Sequence, residues 1–176
     1  CGAVLLGRMS DIVDYLLYVD KKTGLPNREK LNIYIGEMAG KVLPEAFTCF
    51  TLSLDNLSEL TKRFGYTVGD GVLKDFAGLV QLMGDTEGMR GYNGIGRFVV
   101  FFEECSSKKA AAMIRILDNQ VEEYNSLNPE YPIRYTAAWA TTEETDTYEI
   151  RELLRLSQKK WKQMEKEKKD KTEEET

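Results

Sequence analysis

The 176-residue chain contains no histidine. Histidine is the usual general base near neutral pH and the commonest nitrogen ligand of zinc, so its absence excludes much hydrolytic and zinc-dependent chemistry. The chain also has no apolar run of about 18 residues, the length that a membrane-spanning helix requires. We therefore expect no membrane contact by this segment. A cytoplasmic location is expected, either as a separate protein or as the cytoplasmic part of a longer, membrane-attached one.

Cysteine and basic charge are also sparse. The three cysteines, Cys1, Cys49 and Cys105, show no CxxC spacing, which favours buried free thiols in a reducing compartment. The formal net charge is -5 and the body of the sequence has no basic stripe, so no nucleic-acid partner is expected. A content of 42% hydrophobic and 10% aromatic residues is ordinary for one globular domain.

Residues 1–19 are interpreted as a lead-in helix from an upstream region. Ser10 is predicted to cap this helix, because its short polar side chain precedes an amphipathic pattern. Four apolar residues share one face of the helix, namely Ile12, Val13, Leu16 and Leu17. This face predicts packing either onto the helix's own domain or against a second copy, as a homodimer through residues 10–19.

Residues 20–168 are predicted to form the domain proper. The expected elements are a helix from Glu29, a strand over 47–54, a helix capped by Asp70, a hairpin over 89–102, a helix from Ser106 or Ser107, a strand over 133–140 and a helix capped by Asp146. This order predicts an α/β fold, an α+β sandwich whose central, mostly antiparallel sheet of about five strands is flanked by helices. The charged residues 169–176 are expected to be a solvated, frayed tail.

Five short motifs carry most of the functional information. They are Thr23-Gly24-Leu25-Pro26-Asn27-Arg28, Ser53-Leu54-Asp55, Phe64-Gly65-Tyr66, Gly69-Asp70 and the hairpin Asn93-Gly94-Ile95-Gly96-Arg97-Phe98, where Asn93-Gly94 is expected to make the tight turn. Together they resemble the GGDEF domain, the catalytic domain of bacterial diguanylate cyclases, over roughly Asp20 to Glu165. The resemblance implies a nucleotidyl-cyclase-like fold and a reaction that joins two GTP molecules into cyclic di-GMP.

The resemblance also implies a site for two divalent metals, but the carboxylates that would bind them are replaced. The three matching positions hold Ser53, Gly96 and Arg97. Hard cations prefer carboxylate oxygen, so neither a catalytic residue nor a cofactor is expected, and Mg²⁺ would be needed only by an active cyclase. Asp55, two residues beyond Ser53, is a remote candidate for a metal ligand, and its structural interpretation is a turn cap.

The nucleotide contacts that the resemblance implies are partly kept. Thr61 and Asp70 match the guanine-binding positions, although Asp70 is equally explained as a helix cap. Arg97 and the backbone amides of the turn from Gly94 to Gly96 form a second candidate, an anion site that needs no metal, unless Arg97 is simply a surface arginine. Three further positions depart from the pattern: Ser58 and Glu165 with Lys166 stand at phosphate-binding positions, and Asp85-Thr86-Glu87-Gly88 stands at the inhibitory product site.

These observations leave three functions open. The first is a catalytically degenerate GGDEF domain that acts as a regulatory or interaction module in bacterial cyclic di-GMP signalling, with the neighbouring domains of a longer protein as partners. The second is a sensor that binds GTP or another phosphate ligand without turnover. The third is an active diguanylate cyclase that uses unorthodox metal ligands.

Overall fold

The computed structural model describes the backbone of residues 2–84 and 87–176, and the side chains from residue 7 onward within these ranges. The strands in this part of the chain are β1 (Thr48–Leu54), β2 (Gly88–Gly94), β3 (Arg97–Phe102) and β4 (Tyr135–Thr141). The helices are α1 (Gly2–Tyr18), α2 (Arg28–Met38), α3 (Leu57–Phe64), α4 (Tyr66–Gln81), α5 (Ser107–Leu127), α6 (Thr142–Thr145) and α7 (Ile150–Glu174). The described helices contain no segment long and apolar enough to cross a bilayer.

The strands form one antiparallel sheet in the order β2-β3-β1-β4. This confirms the predicted α/β fold, with four strands in the described ranges where about five were expected. The loop before α2 adds only an isolated bridge between Val19 and Pro26. Proline has no backbone N–H, so it cannot continue a ladder of hydrogen bonds there.

Helices cover both faces of the sheet. The residues of β1 that point to one face are apolar, and those that point to the other face are of mixed polarity. Phe50 and Leu52 pack in a core cluster with residues of α4 and α5, whereas Cys49 packs in a second cluster with residues of α2 and α7. All seven residues of β1 are buried, as expected for a central strand covered on two sides. Cys49 and Cys105 are buried free thiols, as predicted, and Cys1 lies outside the described residues.

Three predicted helix caps differ from the structure. Ser10 lies inside α1, which begins at Gly2. Asp70 lies inside α4, because Gly65 adopts a φ of 92° and lets α4 start directly after α3. Asp146 ends α6 in a left-handed conformation, and Glu149 caps α7 by accepting a hydrogen bond from the backbone N–H of Glu152. The predicted start of a helix at Ser106 or Ser107 is confirmed: α5 begins at Ser107, and Ser106 caps it by accepting a hydrogen bond from the Lys109 backbone N–H.

The turn of the hairpin lies two residues later than predicted. Gly94 pairs with Arg97, so the two turn residues are Ile95 and Gly96, both with positive φ, rather than Asn93 and Gly94. Glycine adopts this conformation freely, whereas a β-branched residue is strained in it. The side chain of Ile95 is 88% exposed, so no packing interaction compensates for the strain.

The charged end of the chain is more ordered than predicted. α7 continues to Glu174 through the segment that was expected to fray, so that expectation is wrong. Lysine and glutamate have high helix propensity, and Lys169 pairs with Glu165 one turn earlier at 2.9 Å. Residues 169–174 therefore continue the helix of the domain as a solvent-exposed extension.

Candidate functional site

A cleft of about 1220 Å³ lies where β1 ends, between α3, the hairpin turn, β4 and the second half of α7. Ser53, Asp55 and Thr61 lie along it on the side of β1 and α3, and Ile95 and Arg97 reach it from the turn. Glu165 and Lys168 of α7 line the opposite wall. Four separate segments of the sequence therefore meet at this site.

The position that the resemblance assigns to a metal ligand is part of a hydrogen-bond network. The buried Ser53 accepts a hydrogen bond of 2.8 Å from the indole N–H of Trp161 and donates one of 2.6 Å to Asp55. The other carboxylate oxygen of Asp55 accepts a hydrogen bond from the hydroxyl of Thr136 at 2.5 Å. Thr136 in turn accepts a hydrogen bond from the ammonium of Lys168 at 3.1 Å.

Arg97 lies against the same tryptophan. Its guanidinium carbon is 4.8 Å from the centre of the Trp161 ring, the distance of a cation–π contact. Arg97 is also the partner of Ser53 in the β1–β3 register. Trp161 thus contacts the residues at two of the three positions where the resemblance implies carboxylate ligands.

These residues do not fit a pair of divalent cations. Both oxygens of Asp55 already accept hydrogen bonds from hydroxyl groups, and Ser53 and Gly96 offer no charge. Two unit charges about 4 Å apart repel by roughly 4 kcal/mol at an effective dielectric constant near 20, so Arg97 opposes a cation at this place. Within residues 2–84 and 87–176, no group of three or more acidic, cysteine or histidine side chains is arranged to hold a metal ion.

The two candidates for guanine binding lie near each other but face different surroundings. The hydroxyl oxygen of Thr61 is only 2.3 Å from where a side-chain carbon on Gly69 would lie, which requires glycine at that position. Asp70 follows directly and pairs with Lys22 at 3.4 Å. Thr61 lines the cleft, whereas Asp70 is not among the lining residues.

The turn amides are less available to an anion than the sequence indicated. The backbone N–H of Gly96 donates a hydrogen bond of 2.9 Å to the hydroxyl of Tyr92. Arg28 donates a hydrogen bond of 2.6 Å to the carbonyl of Asn93, which holds the start of the turn against α2. Arg97 lines the cleft and Gly94 is not among the lining residues.

Of the other positions that depart from the family pattern, some line the cleft and others do not. Ser58 and Glu165 line the cleft, and Lys166 is exposed outside it. Of the four residues at the product-site position, Asp85 and Thr86 lie outside the described residues.

Four residues of the site carry no functional signal in the motifs above. Arg134, Thr136 and Lys168 line the cleft, and Trp161 contacts Ser53 and Arg97, which line it. Trp161, Glu165, Lys168 and Thr172 lie one helical turn apart, and this spacing could have placed them together on one face of α7.

The cleft is lined by more positive than negative side chains. The cations are Lys62, Arg97, Arg134, Lys168, Lys169 and Lys171, and the anions are Asp55, Glu59, Glu165 and Glu173. The hydrogen bond that Lys169 donates to Glu165 raises the pKa of Lys169, which keeps its positive charge. Burial, and then the hydrogen bond to Asp118, raises the pKa of the Tyr135 phenol, which stays neutral. The excess of cations favours anionic ligands over metal ions.

One protein-family model matches most of the chain. The family model described as "Diguanylate cyclase, GGDEF domain" matches residues 17–171. A search of curated protein sequences found no significant match.

Similar solved structures share the fold. A diguanylate cyclase/phosphodiesterase from Caldicellulosiruptor saccharolyticus is 18% identical, covers 88% of this chain and 91% of its own, and superposes with a TM-score of 0.69. The GGDEF domain of FimX from Pseudomonas aeruginosa is also 18% identical, with 81% and 90% coverage and a TM-score of 0.66. The S helix-GGDEF-EAL segment of Vibrio cholerae LapD, bound to c-di-GMP, is 13% identical, with 77% and 32% coverage and a TM-score of 0.64.

Proposed function

Because the chain belongs to the GGDEF domain family, we propose that it is a member without cyclase activity that serves as a regulatory or interaction module in bacterial cyclic di-GMP signalling. We place it in the cytoplasm, next to other domains of a longer signalling protein. The observation that carries the proposal is the hydrogen bond from Trp161 to Ser53. It joins a neutral hydroxyl to a tryptophan at the position where a cyclase needs a carboxylate.

The loss of activity follows from charge and from geometry. The triphosphate of GTP carries several negative charges, and a two-metal mechanism depends on cations to neutralise them. Ser53 and Gly96 provide no ligand for such cations, and Arg97 repels them. Asp55 is hydrogen-bonded on both oxygens, so it does not supply a substitute.

The test is to incubate the purified chain with GTP and either Mg²⁺ or Mn²⁺ and to measure cyclic di-GMP by mass spectrometry. We expect no product above the buffer blank, while an active cyclase in the same buffer serves as the positive control. Product from the wild-type chain that disappears in an Asp55→Asn variant would overturn the proposal. It would instead identify Asp55 as an unorthodox metal ligand.

A second candidate function, a nucleotide sensor without turnover, is favoured by the size and charge of the cleft. The cavity of about 1220 Å³ has room for a nucleotide, and Thr61 and Arg97 both line it. Calorimetric titration with GTP in EDTA tests this function, with Arg97→Gln as the variant that should abolish the heat of binding. Arg115→Gln, an exposed position on α5 outside the cleft, is the matched control. Absence of heat at millimolar GTP would exclude this function.

The lead-in helix provides the interaction surface of the proposed module. The four apolar residues of its predicted contact face are about half exposed or more: Ile12 at 59%, Val13 at 49%, Leu16 at 60% and Leu17 at 54%. Of the two partners that the sequence leaves open, this exposure favours a second copy of the helix over the helix's own domain. We propose that residues 10–19 form a homodimer contact.

A further inference from the structure

Helix α7 consists of two halves with different environments. The first half is anchored on the sheet by four buried residues, Ile150, Leu153, Ser157 and Trp161. From Lys162 to the end of the chain every residue is exposed except Glu165, which is partly buried. The second half therefore has little apolar packing to hold it against the domain.

Lys168 joins this second half to the sheet. Its ammonium donates a hydrogen bond of 2.7 Å to the backbone carbonyl of Tyr135 and one of 3.1 Å to the hydroxyl of Thr136. Hydrogen bonds from a charged donor are roughly twice as strong as those between neutral groups. The pair between Glu165 and Lys169 lies within the helix, so it supports helicity but does not attach the helix to the sheet.

The attached segment is also one wall of the cleft. Glu165, Lys168, Lys169, Lys171, Thr172 and Glu173 all line it. Thr136, which Lys168 contacts, donates its own hydrogen bond to Asp55 on the opposite side of the cleft. The attachment of the helix is therefore continuous with the network at Asp55, Ser53 and Trp161.

We propose that residues 162–174 form a strap along the cleft and that Lys168 is the latch that holds it closed. When Lys168 releases β4, the strap loses its attachment beyond Trp161, and the cleft widens on that side. The role of the strap, which is to control access to the cleft of a non-catalytic module, rests on the proposed function. The attachment of the strap by Lys168 rests on the contacts of Lys168 alone.

Hydrogen–deuterium exchange with mass spectrometry tests the latch without any nucleotide. In Lys168→Met, we expect the amides of residues 165–174 to exchange about tenfold faster, the effect of losing charge-assisted hydrogen bonds on a local opening equilibrium. Lys168→Arg keeps a cationic donor and should stay near wild type. Lys162→Met, an exposed lysine in the same half of the helix and outside the cleft lining, is the matched control.

Two results would overturn the inference. Equal exchange rates in Lys168→Met and wild type would show that the hydrogen bonds of Lys168 do not hold the strap against the sheet. Faster exchange in β1 and α5 as well would show a global loss of stability and no local latch. A finding that the chain makes cyclic di-GMP would contradict the proposed function but leave this exchange result unaffected, so the two failures are distinguishable.

Discussion

The indole N–H of Trp161 donates a hydrogen bond of 2.8 Å to the hydroxyl of Ser53 across the buried contact between α7 and β1. The Ser53 hydroxyl also donates a hydrogen bond of 2.6 Å to Asp55, so it is the acceptor for one residue and the donor to another. This relationship fixes the last helix at the end of the central strand. It also places a bulky aromatic ring beside the position where the family resemblance implies a metal ligand.

Ser53→Ala is expected to destabilise the domain. The substitution leaves the buried indole N–H of Trp161 without its acceptor, which costs about 1–3 kcal/mol of unfolding free energy. Urea denaturation followed by circular dichroism measures the change. Ser58→Ala, an exposed serine on α3, is the control and should stay within about 0.5 kcal/mol of wild type. Equal stability of the two variants would show that the Trp161 hydrogen bond contributes nothing.

Ile95→Gly is expected to stabilise the domain by about 0.5–1 kcal/mol. Ile95 has a φ of 55°, and relief of this strain should exceed the entropy that a new glycine adds to the unfolded chain. The side chain is 88% exposed, so little packing is lost. Thermal unfolding should show a rise of about 1–4 °C in the melting temperature.

The opposite substitution in the same turn is the control for Ile95→Gly. Gly96→Ala should lower the melting temperature, because Gly96 has a φ of 71° and a new side-chain carbon would lie 3.0 Å from the Leu54 carbonyl oxygen. If Ile95→Gly lowered the melting temperature, Ile95 would have a stabilising contact that its exposure does not indicate.

Leu16→Glu is expected to weaken self-association through α1 by more than about a hundredfold, because each subunit would bury a carboxylate in an apolar contact. Sedimentation velocity over a range of concentrations measures the effect. Asp11→Lys changes charge on the polar face of the same helix and should leave association nearly unchanged. A wild-type chain that stays monomeric at the highest concentration would contradict the proposed dimer.

The stability of the domain is expected to fall at alkaline pH. Burial raises the pKa of the Cys49 thiol from 9.0 to about 12 and that of the Tyr34 phenol from 10.0 to about 12. Both folded-state values exceed the unfolded ones, so the stabilisation is complete below about pH 9 and is lost as pH rises toward 12. With no histidine in the chain, stability should be nearly constant between about pH 6 and 8.

Urea titrations at a series of pH values check this profile. Cys49→Ala should make the earliest part of the decline shallower, and the buried thiol of Cys105, whose pKa is also raised, accounts for what is left of it. An unchanged profile in Cys49→Ala would assign the decline to Cys105, whose pKa is also raised by burial, and to the tyrosines.

The elements with strong local signals were predictable. β1 is rich in β-branched and aromatic residues, and the structure places it at the centre of the described sheet. The start of α5 at Ser106 or Ser107 was also predicted. The Ser106 hydroxyl stabilises this start locally, because it accepts a hydrogen bond from the backbone N–H of Lys109.

Local sequence signals gave wrong positions for two helix caps and one turn, where short elements follow one another closely. Asp70 and Asp146 have the right chemistry for helix caps, but the N-cap of α4 lies earlier, at Gly65, and that of α7 lies later, at Glu149. Asn93-Gly94 is a strong turn pair, yet strand pairing shifts the turn to Ile95-Gly96. In the hairpin, the pairing of β2 with β3 outweighed the local preference of Asn93-Gly94.

Residue types in the sequence alone determined the α/β class, the membership of the family and the replacement of the expected carboxylates by Ser53, Gly96 and Arg97. Only the tertiary structure decided what these replacements do. Trp161 lies 108 residues from Ser53, and Lys168 lies 32 from Thr136. Such pairs form only when α7 packs on the sheet, because a hydrogen bond depends on distance and angle in space, which no local pattern in the sequence specifies.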